Sequence, residues 1–154
     1  MIGLEKFSLI KWDRENQTLV IHRLIQTVVK DEMSDGELTY AVRSFVDMCR
    51  ESWPFAVSEL RSLTRVYTPE QRELCLRYQS QMVEPLLQAE TVRTEKCADI
   101  KELVGNFLTG EGNHKDSERL RLQVVQVRTE LLGIDHRDTI TGLHKLAWTY
   151  MVQG

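Results

Sequence analysis

The chain has 154 residues, 42% of them hydrophobic and 28% charged, with a net charge of −3. This is a globular profile with room for one ordinary domain or two small ones. Acids and bases are interspersed without a basic face, which argues against a nucleic-acid partner, and the apolar runs are too short to cross a membrane.

The elements follow in chain order. The segments "KFSLIKW" and "TLVI" are rich in aromatic and branched residues and flank the polar connector "DRENQ". That pattern predicts a short N-terminal β-hairpin. From Ile21 the period changes to three and four, so "IHRLIQTVVKDEM" reads as an amphipathic helix ended by "SDG". A second helix carries Leu38, Val42, Phe45, Val46 and Cys49 on one stripe, and Pro54 should stop it near Ser52. A third stripe is Ala56, Leu60, Leu63 and Tyr67. "TPEQ" then opens the next helix, with Thr68 as cap, Pro69 at the first helical position and Gln71 completing a capping box. Leu74, Tyr78 and Met82 continue it, and Pro85 should kink or stop it.

The last third is the most regular. Ile100, Leu103, Val104, Phe107 and Leu108 form one stripe, and "GEGN" is a turn. Leu120, Val124, Val127 and Leu131 form the next stripe, ending at Leu132-Gly133-Ile134, where glycine suits a helix end. Asp138 is placed to cap a final helix bearing Leu143, Leu146, Ala147 and Tyr150. "LVGNFLTGEG" aligns with "LAWTYMVQG", so that Leu103, Val104 and Phe107 match Leu146, Ala147 and Tyr150 at a constant separation of 43 residues. Such helical units cannot bury their apolar faces alone and must stack.

The stretch "RLRLQVVQVRTELLGIDHRDTITGLHKLAWTYMVQG", within about Ser117 to Gly154, resembles tetratricopeptide repeats of the kinesin-light-chain type. It departs from them at Arg137, where that family usually has proline. "FSLIKWDRENQTLVIHRLIQTVVKDEM" resembles the end of the winged-helix domain that follows the nucleotide-binding core in NB-ARC-type signal-transduction ATPases, including fungal members with repeat tails. Ile21-His22-Arg23 stands where plant relatives carry Met-His-Asp. The resemblance implies that His22 could help hold ADP if joined to such a core; Arg23 does not match the aspartate.

No chemistry-bearing constellation stands out. There is no "GxxxxGK[ST]" phosphate cradle and no "GxSxG" elbow, and "HRD" at His136–Asp138 lacks every other part of a kinase signature. His22, His114, His136 and His144 have no partner at metal-ligand spacing, so no metal and no cofactor is expected. Three widely spaced cysteines, Cys49, Cys75 and Cys97, fit buried reduced thiols, and no signal peptide is legible, so a cytoplasmic location is expected.

The expected architecture is therefore mainly α. It comprises a winged-helix remnant over 1–33 (hairpin plus helix), a helical spacer over 34–94, and tetratricopeptide-like repeats over 95–154, the last one truncated. The expected role is a non-enzymatic protein–protein interaction module, the sensor and linker part of an ATPase-like protein lacking its nucleotide-binding core. It would take a protein or peptide in the repeat groove and self-associate through its uncapped last helix, Leu143, Leu146 and Tyr150 wanting a cover. The alternative is a regulatory domain that contacts ADP through His22.

Overall fold

The computed structural model describes residues 10–13, 18–21, 31–53 and 67–154. His22 lies outside them, as do most of the helix expected after Ile21 and the stripe expected from Ala56 to Leu63. The described chain is mainly helical and divides into two compact units, Met1–Ala41 and Val42–Gly154. In the first, Ile10–Asp13 (β1) and Thr18–Ile21 (β2) pair antiparallel, with Ile10 opposite Ile21 and Asp13 opposite Thr18.

Helix α1, Asp35–Ser52, begins at a reciprocal cap: the Ser34 amide and hydroxyl both donate to Glu37 Oε2, at 2.9 and 2.7 Å. It ends just before Trp53-Pro54, because the residue preceding proline is excluded from the helical region. Val46, Cys49 and Trp53 are buried, and Val42 and Phe45 pack against them.

Helix α2, Pro69–Gln88, starts at the anticipated capping box, where Thr68 Oγ1 accepts from the Gln71 amide and Gln71 Oε1 accepts from the Thr68 amide. Its buried stripe is Cys75, Met82, Leu86 and Leu87. Leu74 lies one residue off that stripe and is exposed, a correction to the expected register. The helix passes through Pro85 and ends within one turn of it, in the 3₁₀ turn Ala89–Thr91. Helices α3, Glu95–Gly110, α4, His114–Leu132, and α5, Arg137–Gln153, complete the second unit.

The α3–α4 turn needs Gly112, whose φ of 80° is easy only for glycine. At the α4–α5 turn Gly133 has φ 91° and ψ 161°, a positive-φ conformation that favours glycine but is not the left-handed helix cap, and Ile134 beyond it is exposed rather than packed back. Asp138 does not cap α5. His136 does, its Nδ1 accepting from the Asp138 amide at 3.2 Å, because the helix begins two residues earlier than a cap at Asp138 would have it. Leu131, placed on the buried stripe of α4 by periodicity, is exposed.

One continuous apolar core joins α1, α2 and α3 and reaches Leu120 of α4. At its centre Phe107 meets Trp53 and Tyr67 edge to face, with centroids 5.8 and 5.4 Å apart. Cys49, Cys75 and Cys97 are buried in it. Burial raises the Cys49 thiol to about 12 and also pushes Cys97 up.

Candidate functional site

The informative region is the seam where α5 lies on α3 and α4. Four residues of the described chain, Glu102 on α3, Arg121 and Arg128 on α4 and Lys145 on α5, bring charged groups into it, each almost completely buried. One Glu102 oxygen accepts from Arg128 and the other from Lys145. Arg128 also reaches Asp99 Oδ1 at 3.2 Å and the Asp138 carbonyl at 3.3 Å. One turn pair earlier on α4, Arg121 donates to the Lys145 carbonyl at 2.6 Å, to Thr149 Oγ1, and to Asn106 Oδ1 at 3.1 Å. Ser117 finishes the stripe, its hydroxyl donating to the Gly105 carbonyl at 2.8 Å and lying 2.7 Å from that of Thr109.

The local sequence explains this placement. Ser117, Arg121, Val124 and Arg128 recur at three and four along α4 and so share one face. Gly142 has no side chain, and a Cβ there would meet Val125 Cγ2 at 3.4 Å, so α5 can approach α4 closely. The charged groups respond to the loss of water in opposite ways. Burial pushes Lys145 down, against the attraction of Glu102, and takes Arg121 down to about 10. Arg128 is also desolvated, but Glu102 and Asp99 outweigh that and hold it above its ordinary value. Burial raises Asp99 despite Arg128. A buried ion cluster of this kind is held together by completeness: removing one member leaves the others charged and without water.

A further buried cation, Lys101, closes the junction between α2 and α3. Its ammonium donates to the Ala89 carbonyl at 3.1 Å and to Gln123 Oε1 at 2.8 Å, while the Gln123 amide donates to the Leu87 carbonyl at 3.0 Å. These side chains satisfy carbonyls that the end of a helix leaves open.

The outer side of α5 is the reverse of its seat. The residues turned inward are Thr139, Gly142, Lys145, Leu146 and Thr149. Those turned outward include Ile140, Leu143, Trp148, Tyr150, Met151 and Val152; Trp148 is 53% exposed and Met151 73%. Between Ile140 and Val152 the only Asp, Glu, Lys or Arg is Lys145, and it faces inward. The free face is thus mostly apolar and carries no carboxylate, ammonium or guanidinium, with exposed His144 among its apolar side chains. Among the described residues Leu143 and Tyr150 are exposed, as expected; Leu146, expected beside them, is buried against the seam.

The 43-residue correspondence takes a form that the sequence reading did not foresee. Glu102 and Lys145 stand at matching positions and bond each other. Asn106 and Thr149 match and both bind Arg121; Asp99 and Gly142 match and both lie against Arg128. Matching positions of α3 and α5 therefore look at the same two arginines. Their other faces differ: Phe107 is fully buried by Trp53 and Tyr67, whereas its match Tyr150 is 46% exposed. The expected equivalence of Phe107 and Tyr150 in successive layers is not found. The reason is that α1 and α2 cover one side of α3, and no described element lies on that side of α5.

The sequence reading placed no function on Glu102, Arg121, Arg128 or Lys145. One signal could have found them: opposite charges at the matching positions 102 and 145, beside two arginines seven apart on the intervening helix. Of the histidines, His136 is the α5 cap and His144 is exposed; no group of three His, Cys, Asp or Glu side chains able to hold a metal occurs among the described residues.

Among known proteins, a family model described as "Domain of unknown function (DUF7779)" matches residues 2–38. No curated protein and no solved structure matches.

Proposed function

We propose that the chain is a non-enzymatic protein-interaction module whose docking surface is the outer face of α5. The observation that carries this is the row Ile140, Leu143, Trp148, Tyr150, Met151 and Val152, exposed together on a helix otherwise fixed by ion pairs. Exposed aromatic and methionine side chains in one patch are characteristic of surfaces that bind protein. The occupant is an apolar helix or peptide, because the face is mostly apolar and carries no Asp, Glu, Lys or Arg with which to hold a charged one. A second copy meets this condition as well, since a face without Asp, Glu, Lys or Arg brings no such like charges together when it meets itself about a two-fold axis.

The wider context comes from resemblance. The segment 1–33 is read as a winged-helix remnant and 95–154 as tetratricopeptide-like, which makes the chain a cytoplasmic linker and sensor portion of an NB-ARC-type signalling protein. The test is the association state of the full chain by sedimentation velocity, alone and as Trp148→Glu/Met151→Glu. Concentration-dependent association abolished by the two charges, or capture of an apolar helical peptide abolished in the same way, supports the reading. A chain that is monomeric, binds no such peptide and is indifferent to the substitutions refutes it. A saturable thermal shift with ADP, lost in His22→Ala, would favour the nucleotide-contacting alternative instead.

A further inference from the structure

Hydrophobic burial alone would seat α5 the other way round. Its inward side offers one large apolar residue, Leu146, among Thr139, Gly142, Lys145 and Thr149, whereas its outward side carries Ile140, Leu143, Trp148, Tyr150 and Met151. A helix normally buries its apolar stripe. What opposes that outcome is the ion cluster. Were α5 rolled about its axis, Glu102 would lose Lys145, and Arg121 would lose Thr149 Oγ1 and the Lys145 carbonyl as they are now presented. Glu102 and Arg121 belong to α3 and α4 and would remain where water cannot reach them, at a cost that buried charges impose strongly.

We propose that the Glu102–Arg128–Lys145–Arg121 cluster is a face selector: it determines which side of α5 is seated and so keeps the apolar side turned outward. The two arginines act as fixed reading points, Arg128 for position 142 and Arg121 for position 149, with Glu102 locking Lys145 between them. Polar groups buried in an otherwise apolar seam are known to specify register and orientation at some cost in stability. The inference does not depend on any partner, and it holds whether or not the outer face binds one.

The test uses single reporter cysteines in the full chain, read by the rate of reaction with an aromatic disulfide. The native Cys49, Cys75 and Cys97 are buried and serve as an internal check on folding. Met151→Cys reports the outer side. Thr139→Cys reports the inner side and is close to isosteric; the Thr139 hydroxyl makes no hydrogen bond among the described residues, so little is lost. With the cluster intact, position 151 should label at least tenfold faster than position 139. In Glu102→Gln/Lys145→Met the order should invert, while Lys145→Arg, which keeps the charge, should leave it unchanged.

An order that stays the same in the neutralised chain overturns the proposal, as does fast labelling at both positions, which would mean that the cluster merely holds α5 down. Should the native thiols also become reactive, the double variant has unfolded. The comparison then moves to Lys145→Met alone, where Glu102 keeps Arg128; there too inversion supports the selector and a retained order defeats it.

Discussion

Phe107 and Tyr150 occupy matching positions in α3 and α5 but opposite surroundings, which makes their truncation a quantitative test of the fold. Phe107 is fully buried and stacked edge to face on Trp53 and Tyr67. Removing a buried phenylalanine ring costs about 3–5 kcal/mol in general. Two edge-to-face contacts, each contributing about 0.5–1.5 kcal/mol beyond the area buried, place Phe107→Ala toward the upper end of that range. Tyr150 is half exposed, so Tyr150→Ala should cost roughly 1 kcal/mol or less, as surface truncations do. Equilibrium urea denaturation followed by far-ultraviolet circular dichroism measures both. With a slope of about 1–3 kcal/mol per molar, a gap of ~3 kcal/mol separates the two midpoints by at least about 1 M. Equal costs for the two substitutions would show that α5 is covered in solution, and the assignment of its outer face as free would be wrong. Repeating the measurement at tenfold higher protein concentration distinguishes a cover supplied by a second copy, because only that cover responds to concentration.

Three further outcomes are expected. Glu102→Ala leaves Arg128, Lys145 and Arg121 without their shared counter-charge and should cost about 3–5 kcal/mol by the same denaturation measurement; a cost under about 1 kcal/mol would mean the cluster is solvated. Thr68→Ala removes the hydroxyl that receives the Gln71 amide and should cost about 1 kcal/mol, with amide exchange accelerated at the start of α2 rather than at its end. For Cys49, burial lifts the folded value to about 12 from an ordinary value of 9.0, so the folded chain keeps a proton that the unfolded chain gives up. The stabilisation from this group is complete below pH 9 and is lost as pH rises toward 12, so stability over pH 9–11 should fall more steeply in the natural chain than in Cys49→Ala; parallel curves would contradict the burial.

The local features were legible because local chemistry settles them. Thr68-Pro69 and Gln71 form a capping box whatever surrounds them, Pro54 ends α1, and Gly112 and Gly133 supply backbone angles that other residues avoid. The helical character of the last third followed from its three-and-four spacing. Periodicity also finds a stripe without saying which neighbour lies on it. That is why Leu74 and Leu131 were placed inward and are exposed, and why Leu146 was grouped with Leu143 and Tyr150 although it alone is seated.

What the sequence by itself determined is a set of capped, glycine-separated helices and a 43-residue correspondence between two of them. Only the tertiary structure decided what that correspondence means. Helix positions facing a common neighbour can be identified only once the neighbour is in place, and Arg121 and Arg128 of α4 are what turn positions 99, 102 and 106 toward 142, 145 and 149. A charge reads as solvated on a helical wheel and becomes a buried ion pair only when another helix excludes the water. Burial is a property of the assembled seam, and no residue carries it alone.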